Sequence, residues 1–212
     1  MIDLSIRIFR NLLLLLATLS LLVSNVHADD APPKQVLFKN VNIFNGTEDK
    51  LYENHQVLVE GNLIKAISAG EIEAGSQATV IDGGGRTLMP GLIDSHVHFY
   101  LSMDGARLGM ETSRWDYFPA MGAAAAQEWL ADGFTTVRDM GGMHDGLRKV
   151  IDDGMLDGPR MYLAAGMVSQ SSGHGDMVPD GQNNPEHSNL VKLGITLIAD
   201  GEDEVRKAVR KN

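Results

Sequence analysis

Apolar positions change their rhythm three times along the chain. From Leu12 to Val23 they run almost without a break. Between Gln35 and Met89 they come in short β-rich runs: Val36-Leu37-Phe38, Val41-Asn42-Ile43-Phe44, Gln56-Val57-Leu58-Val59 and Leu63-Ile64-Lys65-Ala66-Ile67. These are cut at Asn45-Gly46, Gly61-Asn62 and Gly83-Gly84-Gly85. Short runs of this composition between turn residues predict strands, and the Gly61-Asn62 pair predicts a tight hairpin. Residues 35–89 are therefore expected to form a small β-sandwich domain.

From Gly91 the pattern alternates strand with helix. Strands are predicted at Gly91–His98, Phe134–Asp139 and Pro159–Ala165, and helices at Arg114–Ala131, Leu147–Ile151 and Glu202–Lys211, with a Gly-rich loop before the last. Asp132-Gly133 and Asp153-Gly154 are stop signals for the first two helices. Regular β–α alternation places the region 90–212 in the α/β class with parallel strands, as a doubly wound sheet or a (β/α)8 barrel.

The apolar run near the N-terminus changes the picture of where the chain works. Arg7 and Arg10 precede it, and Val26-His27-Ala28 follows as a small-residue cleavage site. Residues 1–28 read as a signal peptide and 29–34 as a linker, so the mature chain is expected to be exported, periplasmic or secreted. An uncleaved anchor is the alternative, although the run is shorter than the roughly 18 residues a membrane span requires. The formal charge is −10, and it becomes −11 once Arg7, Arg10 and Asp3 are removed. Such a surface argues against nucleic acid or an anionic membrane as partner. There is no cysteine, which excludes disulfides, thiolate ligands and a lipid-anchored N-terminus.

The densest chemistry lies in Met89-Pro90-Gly91-Leu92-Ile93-Asp94-Ser95-His96-Val97-His98-Phe99. Alternation along a strand puts Asp94, His96 and His98 on one side, and two neighbouring imidazoles make half of a divalent-metal site. Two core histidines bonded to nearby backbone are the bland alternative. The eleven-residue string resembles the first barrel strand of the amidohydrolase superfamily, metal-dependent hydrolases of carbon–nitrogen bonds in amides, lactams and ureas. Phe134-Thr135-Thr136-Val137-Arg138-Asp139, Gly158-Pro159-Arg160-Met161 and Gly173-His174-Gly175-Asp176 are similar to its imidazolonepropionase-like and exported dipeptidase-like branch.

That resemblance implies a (β/α)8 barrel in which His96 and His98 bind the more buried of two divalent ions, with zinc the default and iron, cobalt or manganese also compatible with imidazole. It implies hydrolysis of a small amide, lactam or dipeptide-like substrate by metal-activated water. It also implies a strand-four lysine bridging the two ions, two further histidines and a late aspartate as general base. All four are expected beyond Asn212, so no catalytic residue is assigned within the chain. Residues 91–212 number 122, whereas such a barrel takes about 250. The expectation is an incomplete barrel of about three βα units, an N-terminal half that is inactive by itself. The alternative is a truncated, non-catalytic fragment with at most weak single-metal binding. A dinucleotide-binding domain is disfavoured, since Gly83-Gly84-Gly85 lacks the G-x-G-x-x-G spacing.

His174, between two glycines on a loop at the barrel mouth, is the candidate substrate-binding residue; a solvent-facing turn histidine is its alternative. Arg138 and Asp139 are expected to form an ion pair or to anchor a loop. His144 and His187 are expected to be solvated. Oligomeric state has no signature in the sequence.

Overall fold

A computed structural model describes residues 33–101, 113–176 and 188–212. Contacts divide the chain after Met89 into two units. Among the described residues, no helix is long and apolar enough to cross a membrane. The proposed signal peptide and His187 lie outside the described residues.

The first unit is built from β1 (Gln35–Ile43), β2 (Tyr52–Glu60), β3 (Leu63–Ser68), β4 (Thr79–Asp82) and β5 (Thr87–Leu88). β1 pairs antiparallel with β2, and β2 with β3. The β2–β3 turn is Gly61-Asn62, and Gly61 takes φ +62°, the left-handed region that glycine enters without steric cost. Val41, Ile43 and Val57 form the buried centre, flanked by Phe38, Tyr52, Val59 and Leu88.

The expected β-sandwich is, among the described residues, a single mixed sheet of five strands. The cause lies in the free edge of β1. β4 and β5 both return to it in parallel, at Val36–Lys39 and at Asn42–Ile43. Between them β1 bulges at Asn40, where the Gly83 and Gly85 N–H groups donate to the carbonyls of Lys39 and Asn40. The glycine run thus carries the chain past a bulge within one sheet.

In the second unit β6 (Leu92–Val97), β7 (Phe134–Asp139) and β8 (Arg160–Leu163) form a parallel sheet in chain order. Helix α1 (Tyr117–Ala131) joins β6 to β7, and α2 (Asp145–Asp152) joins β7 to β8. Helix α1 starts three residues later than expected, because Arg114 is spent on a turn: its guanidinium pairs with Asp116 and its carbonyl accepts the Tyr117 N–H. Val97, Val137 and Met161 from the three strands pack on Phe118, Ala125, Ala126 and Leu147 from the helices. The small side chains at 125 and 126 let α1 approach the sheet closely. The opposite face of the sheet is open: Ile93 is 72% exposed and Tyr162 56%.

The stretch after β8 departs from the expected loop. A strand pair, β9 (Met167–Ser169) and β10 (Thr196–Ile198), forms a separate parallel sheet, with a one-turn helix α3 (Asn189–Lys192) before β10 and α4 (Glu202–Lys211) after it. Three-residue strands are too short to show a period of two, so nothing in the pattern marked them. The whole second unit is a mixed α/β fold with parallel strands, like part of a (β/α)8 barrel.

Candidate metal centre

Strand β6 brings its two histidines to its C-terminal end, past a register shift between Asp94 and Val97. Val97 is buried under the helices, so the flanking His96 and His98 turn to the other side. Their ring centroids are 5.2 Å apart and the planes meet at 70°. His96 is exposed and His98 half-buried. Asp94, paired with Val137 and separated from Val97 by a register shift, accepts the His96 N–H on Oδ1 at 2.9 Å, which holds its carboxylate along its own strand.

The His98 ring is oriented by backbone. Its Nδ1 lies 3.0 Å from the carbonyl oxygen of Gly141, in the loop after β7. A carbonyl oxygen only accepts, so Nδ1 carries the proton and the lone pair resides on Nε2. Histidine ligands of metals are commonly preset in this manner by a partner for their other nitrogen. Gly141 is required there for space: a Cβ at this position would fall 2.1 Å from the Met167 Cγ.

Asp139, at the end of β7, is fully buried. Its Oδ2 accepts the Phe99 N–H at 2.8 Å and its Oδ1 the Gly141 N–H at 2.9 Å. Burial pushes its carboxyl above the usual carboxylate range, opposed by the N–H groups of Phe99, Gly141 and Met143 and by the nearby His98. Of the two expected roles, the structure gives Asp139 that of loop anchor. Arg138 points to the other face, where its Nε donates to the Ser95 carbonyl at 2.8 Å.

His174 is exposed on a turn closed by the Asp176 N–H donating to the Gly173 carbonyl. Gly175 beneath it is buried, and its N–H donates to Ser169 Oγ. His144 is exposed, as expected of a solvated histidine, and its Nε2 lies 3.1 Å from the Gly194 carbonyl, which links the start of α2 to the loop before β10.

Asn212 has a bonding role within the second unit. From the C-terminal end of α4 its Oδ1 accepts the Gly166 N–H at 3.1 Å, and its Nδ2 donates to the Gly166 carbonyl at 2.7 Å. Both polar ends of the amide are satisfied by one backbone unit just before β9. This is a brace between α4 and the strand pair, and the sequence could not show it because 46 residues separate the partners. Asn212 takes no part in the histidine site.

Among the described residues, no group of three or more His, Asp or Glu side chains is arranged to hold an ion. The residues present therefore fit a divalent ion as two imidazole ligands, one with its donor nitrogen preset. The part of the site that reasoning from sequence missed is the Gly141 carbonyl. Its only trace is the Gly141-Gly142 pair directly after a strand.

A family model described as the amidohydrolase family matches residues 87–212. Among solved structures, a prolidase in complex with N-methylphosphonate-L-proline is 31% identical, with a TM-score of 0.71, over 84% of this chain and 43% of that one. The ochratoxinase of A. niger is 28% identical, with a TM-score of 0.63, over 85% of this chain and 44% of that one. By sequence, the Aspergillus niger ochratoxinase is 38% identical over 136 residues, 58% of this chain and 28% of the relative. The 5'-deoxyadenosine deaminase of Methanocaldococcus jannaschii is 30% identical over 148 residues, 63% of this chain and 33% of the relative. The chain thus spans about a third of these curated relatives and under half of the solved ones.

Proposed function

Because the chain belongs to the amidohydrolase family, we propose that it contributes half of a metal centre to the hydrolysis of a carbon–nitrogen bond. The single observation that carries this reading is the His96–His98 pair on β6, with His98 Nδ1 held by the Gly141 carbonyl. In this reading β6, β7 and β8 are the first strands of a (β/α)8 barrel, whose active sites form at the C-terminal ends of the strands. Both histidines stand at that end of β6. The open sheet face beneath them, with Ile93 and Tyr162, is then the barrel's interior wall.

His96 and His98 hold the ion, and zinc suits their imidazoles best. Once bound, the ion supplies Lewis acidity, which polarises a carbonyl and makes water nucleophilic near neutral pH. His174, exposed on its glycine-flanked turn, offers an imidazole to the substrate. A small amide or dipeptide is the substrate class this reading favours, supported by the likeness to the prolidase structure. Residues 1–28 act as an export signal, so the hydrolysis takes place in the periplasm or outside the cell.

Zinc titration of the metal-free chain beside H96A and H98A tests this reading. The expected result is about one ion per chain, with each variant at least roughly tenfold weaker, about 1.4 kcal/mol. Unchanged uptake in both variants contradicts it. A second reading, a non-catalytic chain that holds one ion weakly, is favoured by the lack of a third ligand among the described residues. Turnover of dipeptides by the zinc-loaded chain separates the two.

A further inference from the structure

Asp139 is the one fully buried carboxylate among the described residues. Placing a carboxylate in a core is strongly unfavourable unless donors surround it, and a leucine would fill the same space without that cost. The role of Asp139 follows from which donors surround it. One is the N–H of Phe99, the residue directly after His98. A second is the N–H of Gly141, the residue whose own carbonyl meets His98 Nδ1, and the Met143 N–H is a third. The two oxygens of one side chain therefore hold the backbone on both sides of the imidazole contact. Main-chain bonds lock the same junction, with Met140 N–H donating to the Val97 carbonyl and Ala164 N–H to that of Asp139.

We propose that Asp139 is a positioning residue for His98, fixing the Gly141 carbonyl against Nδ1 and so keeping the lone pair on Nε2. The proposal rests on the reading of His98 as a metal ligand, and it assigns a residue of a neighbouring strand to the same centre. Asparagine is the informative replacement. It matches aspartate in shape but turns one acceptor oxygen into an N–H donor, which would then face a backbone N–H. One of these tethers is lost, and with it the alignment of Gly141 or of Phe99.

The test is the tautomer of His98, read by long-range 1H–15N correlation in the metal-free chain at about pH 8.5, roughly two units above the ordinary imidazole value. The wild type is expected to show His98 protonated at Nδ1. D139N is expected to show a mixture with the Nε2-protonated form, together with zinc binding at least tenfold weaker. A D139N chain that unfolds at lower temperature yet keeps the wild-type tautomer and zinc affinity would overturn the proposal, since Asp139 would then only brace the loops. His98 protonated at Nε2 in the wild type contradicts the proposal whether or not D139N folds; where D139N does not fold, D139S, too short to reach both N–H groups, is read in its place, and a wild-type tautomer and zinc affinity in it overturn the proposal. Failure of the underlying metal reading has a different signature. The wild type then takes up no zinc, while the tautomer still responds to D139N.

Discussion

The Nδ1 of His98 and the carbonyl oxygen of Gly141 lie 3.0 Å apart, although 43 residues separate them in the chain. The contact joins the loops that follow two adjacent parallel strands. It depends on a glycine, because a side chain at 141 would collide with Met167.

G141A is accordingly expected to destabilise the second unit by about 1–3 kcal/mol, the usual cost of forcing a methyl group into a packed site. It should also weaken zinc uptake. Thermal unfolding and zinc titration check both effects, and M167A in the same chain should recover part of each. A G141A chain as stable as the wild type would show that the close approach is not constraining.

Neighbouring residues on β8 make opposite predictions. Met161 is buried beneath the helices, and M161A should cost about 2–5 kcal/mol. Tyr162 lies on the open face, and Y162A should fall within about 0.5 kcal/mol of the wild type. Denaturant unfolding of the two variants checks the assignment of faces. A large loss from Y162A would mean that this face is covered in solution.

Acid sensitivity should arise partly outside the metal centre. Asp200 accepts from both the N–H and the Oγ–H of Ser171, and these bonds, the hydroxyl first, hold its carboxyl below the usual range. A depressed folded-state value means that the stabilisation is complete above the ordinary carboxylate value and is lost as pH falls through the depressed one. D200N should therefore flatten the acid limb of the stability–pH curve and leave the slope of its neutral region as before. An unchanged acid limb would show that Asp200 contributes nothing to it.

Much of this architecture was legible in the order of apolar and polar residues. Strand β7 and helix α4 begin and end at the residues their patterns indicate, because strong stop signals or charge gradients flank them. The sheet of the first unit was misjudged for a tertiary reason: whether β4 and β5 return to β1 or start a second layer is decided by a bulge at Asn40, not by periodicity. β9 and β10 were too short to read, and with them the Asn212 brace that ties α4 to the start of β9. At the site, His96 and His98 announce themselves by spacing, and Asp139 was visible only as one of two acidic or basic neighbours. The Gly141 carbonyl left no trace beyond the Gly141-Gly142 pair, since a backbone acceptor has no side chain to recognise and its partner lies on another strand.

That β6 brings two ligands to one ion is most directly tested by anomalous diffraction from crystals of the chain grown with zinc. A peak is expected about 2.0–2.1 Å from an imidazole nitrogen of both His96 and His98, with Nε2 as the bonded atom of His98. A peak bonded to neither histidine, or no peak under conditions where zinc is in excess, would contradict it.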